Sequence, residues 1–260
     1  MELIQSGDNP TWKKLKKLTN HKQRKKQNLF LLEGQRLIGE ALRSGWPLQT
    51  VFLHPEFELE ADFLLKLKEQ KVRLVSLAEP LFRQLAETRT PQGIVALAPL
   101  PQPQPWRFAD KPLLIIVDGV QDPGNLGTIF RTADALGASA LWQVKGTVDI
   151  FNPKTLRASM GSVFRLPFQA EMEKNEVLQQ LEQKGLELWV GMPGTGEVLW
   201  QQDLTRPLAL LLGSEAWGPS SELLVKARPL RIPMPGDTES LNVAMATTIF
   251  LYEICRQRSL

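Results

Sequence analysis

The segment Leu113-Leu114-Ile115-Ile116-Val117 is apolar at every position and closes on Asp118. A strand with one face in water alternates apolar and polar residues. A run without alternation reads as a strand covered on both faces, the usual state of a parallel sheet between helical layers. Leu208–Leu212 repeats the pattern. Around these runs, strand-like segments at Ala140–Val144, Leu186–Val190 and Leu230–Ile232 alternate with helix-like ones at Thr128–Leu136, Glu173–Lys184, Pro219–Ala227 and Leu241–Arg258. Gly137 and Gly185 stand where two of these helices stop, and Asn152-Pro153 opens a further short helix with a capping residue and a proline at its first position. The expected fold class is α/β, a mostly parallel sheet with helices on both faces.

A second, smaller α/β domain precedes it. Helices are expected at Trp12–Gln27, Gly34–Arg43, Ala61–Gln70 and Pro80–Glu87, and strands at Phe30–Glu33, Thr50–Leu53, Val72–Val75 and Ile94–Ala98. The run Pro99-Leu100-Pro101-Gln102-Pro103-Gln104-Pro105 separates the two parts, because alternating proline can neither continue a helix nor sit in a central strand. The expected boundaries are 1–98, a linker at 99–110, and 111–260. Charge changes at the same place. Residues 1–110 hold 17 Lys/Arg against 12 Asp/Glu, and the remainder 14 against 16. The excess gathers at Lys13, Lys14, Lys16, Lys17, Lys22, Arg24, Lys25 and Lys26, next to Trp12. Such a cluster suits a polyanion.

Composition removes several chemistries. With Cys255 as the single cysteine and only His21 and His54 as histidines, no intrachain disulfide and no Cys/His metal cluster can form, so no metal is expected. Cysteine usage suggests a reducing compartment, hence the cytoplasm. The first residues are polar and then basic, without the apolar core of a secretory signal, and no apolar run is long enough to span a bilayer. No histidine follows His54, so a Ser-His-Asp arrangement in the larger domain lacks its base. The turn Asp118-Gly119-Val120-Gln121-Asp122-Pro123-Gly124-Asn125-Leu126-Gly127 is glycine-rich but is neither a P-loop nor the dinucleotide fingerprint.

Three segments carry candidate chemistry. In Asn125-Leu126-Gly127-Thr128-Ile129-Phe130-Arg131, Asn125 is expected at the end of a strand and Arg131 about one turn inside the following helix, in reach of a phosphate. In Leu212-Gly213-Ser214-Glu215-Ala216-Trp217-Gly218-Pro219, a strand-to-helix loop offers a carboxylate for a ribose hydroxyl or an amine, with Gly213 and Gly218 permitting close backbone approach. In Ile232-Pro233-Met234-Pro235-Gly236-Asp237-Thr238-Glu239-Ser240-Leu241-Asn242, Ser240 is the expected N-cap of the last helix. Asn242, a poor helix former just inside it, is expected to have another task.

Taken in order, these segments resemble the three signature motifs of the SpoU-type (TrmH-like) 2′-O-ribose RNA methyltransferases of the SPOUT superfamily. The first part of the chain is similar to the substrate-binding domain of rRNA-directed members, itself like a ribosomal-protein fold, through Asn28-Leu29-Phe30-Leu31-Leu32-Glu33-Gly34 and Thr90-Pro91-Gln92-Gly93-Ile94-Val95-Ala96. The resemblance implies a C-terminal trefoil knot, S-adenosylmethionine as methyl donor, and a homodimer in which Arg131 acts at a site shared with the partner chain. It implies cofactor contacts around Gly213, Ile232 and Leu241, and catalytic work by Asn125, Arg131, Glu215, Ser240 and Asn242. It makes RNA the polyanion, met by Lys13, Lys14, Lys16, Lys17, Arg24, Lys25 and Lys26.

The family's usual assignment of the arginine is general base. A guanidinium pKa above about 12 makes that deprotonation costly, and the alternative is that Arg131 fixes a phosphate and stabilises a developing alkoxide. The substrate-binding domain favours rRNA. A tRNA substrate and a non-catalytic RNA-binding or ribosome-assembly role on the same scaffold are the alternatives.

Overall fold

The computed structural model describes residues 1–85, 91–101 and 110–259. It divides into two compact units, Met1–Gln102 with Phe151–Arg157, and Pro103–Ile150 with Ala158–Leu260. Most of the expected proline linker, together with Ala86, Glu87 and Thr90, lies outside the described residues.

The first unit contains β1 (Glu2–Ile4), α1 (Pro10–Lys17), α2 (His21–Gln27), β2 (Leu29–Glu33), α3 (Gln35–Arg43), β3 (Thr50–Leu53), α4 (Ala61–Glu69), β4 (Arg73–Leu77), α5 (Glu79–Leu85) and β5 (Ile94–Pro99). Its mixed sheet runs β1-β4-β3-β5-β2, with β5 antiparallel to both neighbours. Trp12, Leu15 and Leu18 from the α1 region pack into a core with Phe52, Val75, Leu77 and Phe82. Phe151 joins this unit because its ring lies 4.5 Å from that of Phe30 and 6.5 Å from Trp46.

The single basic helix expected over Trp12–Gln27 is in fact two. Asn20 breaks it, its side chain accepting from the Lys22 N–H at 2.9 Å and so starting a new helix. Arg24 then turns inward and donates to the Leu18 and Thr19 carbonyls, both at 2.9 Å, satisfying the end of α1.

The second unit contains β6 (Leu113–Asp118), α6 (Pro123–Ala135), β7 (Ala140–Val144), the last two residues of α7 (Pro153–Ser159, the rest of which is grouped with the first unit), β8 (Phe168–Met172), α8 (Lys174–Lys184), β9 (Glu187–Gly191), β10 (Glu197–Val198), β11 (Leu208–Gly213), α9 (Ser221–Leu224), β12 (Arg228–Arg231) and α10 (Val243–Arg258). All seven strands are parallel, in the order β10-β12-β9-β11-β6-β7-β8. β6 and β11 are neighbours in the middle of the sheet and are apolar up to their last residues, Asp118 and Gly213, as the runs without alternation required. Helix α10 packs on α6, β9 and β11. At its far end Arg258 donates to the carbonyls of Leu204, Arg206 and Lys111 at 3.1, 2.6 and 2.8 Å. Burial there pulls the Arg258 pKa down from its ordinary value.

Several helix boundaries differ from those expected. α6 begins at Pro123 rather than Thr128, because Asp122 caps it by accepting from the Asn125 N–H at 2.9 Å and Pro123 fits the first helical position. α10 begins at Val243, capped by Asn242 and not by Ser240. The helix expected over Pro219–Ala227 shortens to Ser221–Leu224.

Candidate active site

Strand β6 leads to β7 on one side of the sheet, while β11 lies on its other side, so the crevice beyond their carboxyl ends is a topological switch point, where open α/β sheets bind ligands. Asp118 and Gly213, the last residues of the two strands, are register partners there.

The turn after β11 is closed tightly. Ser214 and Gly218 exchange two backbone hydrogen bonds, at 3.1 and 2.9 Å, and Gly218 holds a φ of +68° that favours glycine. The buried Asp118 accepts from the Ser220 N–H at 2.7 Å, pinning the turn to the end of β6. Gly213 has no room for a side chain, since a Cβ would sit 2.1 Å from the Pro219 nitrogen.

This scaffold presents Glu215. Its Oε1 accepts from Asn125 Nδ2 at 2.7 Å, and its Oε2 takes a long bond, 3.5 Å, from the Gln121 N–H. Asn125 Oδ1 in turn accepts from Asn242 Nδ2 at 3.1 Å. Asn242 Oδ1 accepts from the Ala244 and Met245 N–H groups at 3.0 and 3.3 Å, capping α10. The polarity of this chain is forced. The helix N-terminus demands an acceptor from Asn242, which leaves its amide nitrogen to donate to Asn125, whose own nitrogen then faces the carboxylate. One side chain from each of the three carboxyl-end segments thus joins one hydrogen-bonded line.

The three residues so joined are Asn125, Glu215 and Asn242. Arg131 and Ser240 stand outside. Because α6 starts five residues earlier than expected, Asn125 is in its first turn and Arg131 in its third. They are six positions apart, about 9 Å along the axis and about a third of a turn around it. Arg131 is exposed, and its side chain makes no hydrogen bond or ion pair among the described residues. Ser240 is exposed on the segment before α10, as is Leu241, while Ile232 is half-buried just after β12. Gln121 was missed by the sequence reading. Its side chain donates to the Gly119 and Gly146 carbonyls at 3.0 and 2.7 Å, fixing the backbone that reaches Glu215.

Of the residues expected to meet RNA, Lys13, Lys14, Lys16, Lys17, Lys22, Lys25 and Lys26 are exposed on α1 and α2. Arg24 does not belong with them. Only 5% exposed, its guanidinium serves backbone carbonyls. Trp12 is likewise core, not contact surface.

Residues 112–252 match the model of the SpoU rRNA Methylase family. The chain belongs to that family. Residues 9–96 match an MRM3-like substrate binding domain, so this SpoU methylase carries both regions in the expected order. It is 35% identical to the 23S rRNA (guanosine(2553)-2′-O)-methyltransferase RlmP of Bacillus subtilis, over 98% of this chain and 99% of that protein. It is 32% identical to the human mitochondrial rRNA methyltransferase 3, over 90% of this chain and 69% of that protein. Among solved structures, the SpoU methyltransferase AviRb of Streptomyces viridochromogenes, in complex with the cofactor AdoMet, superimposes with a TM-score of 0.86 at 32% identity, over 96% of this chain and 98% of that one.

Proposed function

We propose that this SpoU methylase transfers the methyl group of S-adenosylmethionine to a ribose 2′-hydroxyl of rRNA. The observation that carries the reading is the line Glu215–Asn125–Asn242, drawn from three segments at the switch point and fixed before any substrate arrives. S-adenosylmethionine, when bound, supplies a methyl on a sulfonium whose leaving thioether is neutral. The residues fit such a donor. Ile232 and Leu241 offer accessible apolar surface at the two ends of a segment in which residues 232–241 make no hydrogen bond among the described residues, so its backbone groups are available to adenine and amino-acid edges. Gly213 keeps the neighbouring turn closed.

The protein must supply alignment and a less protonated ribose oxygen. Glu215 Oε2, whose contact among the described residues is the long one from the Gln121 N–H, takes the ribose hydroxyl, with Asn125, itself held by Asn242, fixing the carboxylate. Arg131 holds the adjacent phosphate with its planar fork and stabilises the developing alkoxide. Ser240 orients the ribose from the third segment. The exposed lysines of α1 and α2 hold the RNA backbone, making the first unit the RNA substrate-binding domain and the second the methyltransferase domain.

Two features of the second unit support finer readings. Leu241, Met245, Ile249 and Tyr252 are all exposed along the start and one face of α10, and α6, which carries Arg131, packs against α10 through a Thr132–Thr248 hydroxyl contact of 3.4 Å. An apolar stripe of this kind supports a homodimer in which Arg131, remote from its own Asn125, serves the partner's site. The return of α10 from the edge-side β12 to α6 and the central β11, clamped at its end by Arg258, supports the trefoil knot. Among the described residues no helix is long and apolar enough to cross a membrane.

The test is incubation with methyl-labelled S-adenosylmethionine and separate pools of unmodified rRNA and tRNA, with Arg131→Ala as control. The expected outcome is alkali-resistant label in rRNA that Arg131→Ala abolishes. Label only in tRNA overturns the substrate, and nearly full activity in Arg131→Lys overturns both roles considered for the arginine. Light scattering that returns a monomer overturns the shared site.

A further inference from the structure

We infer that Trp217 is a stacking platform for an unstacked base of the RNA substrate, either that of the target nucleotide or that of its immediate neighbour, and so a specificity-determining residue for the methyl transfer proposed above, on which this inference rests. A ribose 2′-hydroxyl is the same on every nucleotide. The line Glu215–Asn125–Asn242 therefore carries no information about which nucleotide it faces, and selection needs a group that grips a base.

Trp217 is 91% exposed, whereas Trp12, Trp142 and Trp189 are buried in the cores. Its exposure does not come from a loose loop. The two backbone bonds between Ser214 and Gly218 and the Ala216 N–H to Ser214 Oγ bond, at 3.3 Å, fix the turn on which it sits. Two residues earlier, Glu215 is tied to Asn125 and to the Gln121 backbone. The backbone that carries the indole is thus fixed two residues from the carboxylate assigned to the ribose. Its immediate neighbours, Ala216 and Gly218, are small, the turn's Ser214 and Glu215 and the Gln121 that meets Glu215 are polar, and the exposed apolar stripe lies on a different element, α10. A flat, wholly exposed aromatic among polar groups suits the face of a base splayed from its stack, the way proteins read single-stranded RNA.

The test uses wild type, Trp217→Ala and Trp217→Phe with an unmodified rRNA transcript and methyl-labelled S-adenosylmethionine. Trp217→Ala is expected to raise the KM for rRNA about tenfold or more, within the range for loss of one base–aromatic stack. kcat should move less, S-adenosylmethionine affinity should hold, and Trp217→Phe should recover most of the loss. Indole fluorescence of the wild type should be quenched by the transcript, and Trp217→Phe should lose most of that quench. An unchanged KM in Trp217→Ala, with the wild type active, overturns the stacking role and leaves the activity standing. Equal impairment of the Ala and Phe variants also overturns it, as does a change of molecular mass on Trp217→Ala, which would assign the indole to a second copy of the chain. Absence of label with the wild type overturns the activity reading, and the quench still decides the stacking role: lack of quenching ends it.

Discussion

The turn after β11 and the segment after β12 border the same switch point and are built in opposite ways. Residues 213–220 are closed by a paired backbone bridge, a side-chain bond to Ser214, and ties to Asp118, Asn125 and Gln121. Residues 232–241 make no hydrogen bond among the described residues, and Pro233 and Pro235 remove two of their donors outright. Backbone groups that find no partner in the protein must find water or a ligand. One wall is therefore preorganised and holds the carboxylate of Glu215. The other has its polar groups open, and Asn242 is where it joins the fixed network.

The largest effect should follow from forcing the closed wall open. Gly213→Val puts side-chain atoms where the Pro219 nitrogen and the Gly218 carbonyl carbon already lie, at 2.1 and 2.4 Å from a Cβ. Backbone cannot yield as a flexible side chain can. Methyl transfer should fall below about 1% of wild type as Glu215 leaves Asn125, with a stability loss of about 1–3 kcal/mol for the overpacked site. Activity assay and thermal melting check this. Wild-type activity in the variant would show that the closed turn is not needed.

How much of this was readable in advance depends on what each residue's neighbours are. Leu113–Val117 announced a central parallel strand because burial on both faces leaves no polar position. The strands that went unread, β1, β8 and β10, are all at sheet edges, where few positions are buried and the pattern is short. Asn125, Glu215 and Asn242 were legible as polar residues at strand-to-helix junctions, but their joining was not, since it depends on which loops the sheet order brings together. Asn242 was expected to have a task besides helix formation. It both caps α10 through its amide oxygen and bonds Asn125 through its amide nitrogen, two separate atoms facing two separate partners. Arg24 misled for the opposite reason. In sequence it is one more cation in a basic run, and only the break at Asn20 reveals two carbonyls needing a donor.

The next effect separates the two roles of Asn242. Asp is as good an N-cap as Asn, and its charge suits a helix N-terminus, so Asn242→Asp should keep α10 within about 0.5 kcal/mol of wild type. It cannot donate to Asn125 Oδ1, and it brings a second carboxylate to the line ending at Glu215. Losing that bond should cost about 1–3 kcal/mol of transition-state stabilisation, a fall of roughly 5- to 150-fold in kcat/KM. An unchanged melting temperature with lowered kcat/KM is the expected pair of results. Lowered stability with unchanged kcat/KM would make Asn242 a cap and nothing more, and the open segment would then join the site only through its backbone.

The smallest effects belong to the open wall itself. A Cβ at Gly236 meets nothing within 4 Å, so Gly236→Ala should change stability and methyl transfer by no more than about 0.5 kcal/mol, in contrast to Gly213. Amide hydrogen exchange with and without S-adenosylmethionine then asks whether the difference between the walls is one of function. The amides of residues 213–218 that are already paired should change little on cofactor addition. Those of 234 and 236–241 have no partner to lose and should slow markedly if the cofactor's edges take them up. Equal protection of both walls would mean that the open segment is closed in solution by contacts of its own. Protection confined to 213–218 would move the cofactor away from Ile232 and Leu241 and onto the turn that holds Glu215.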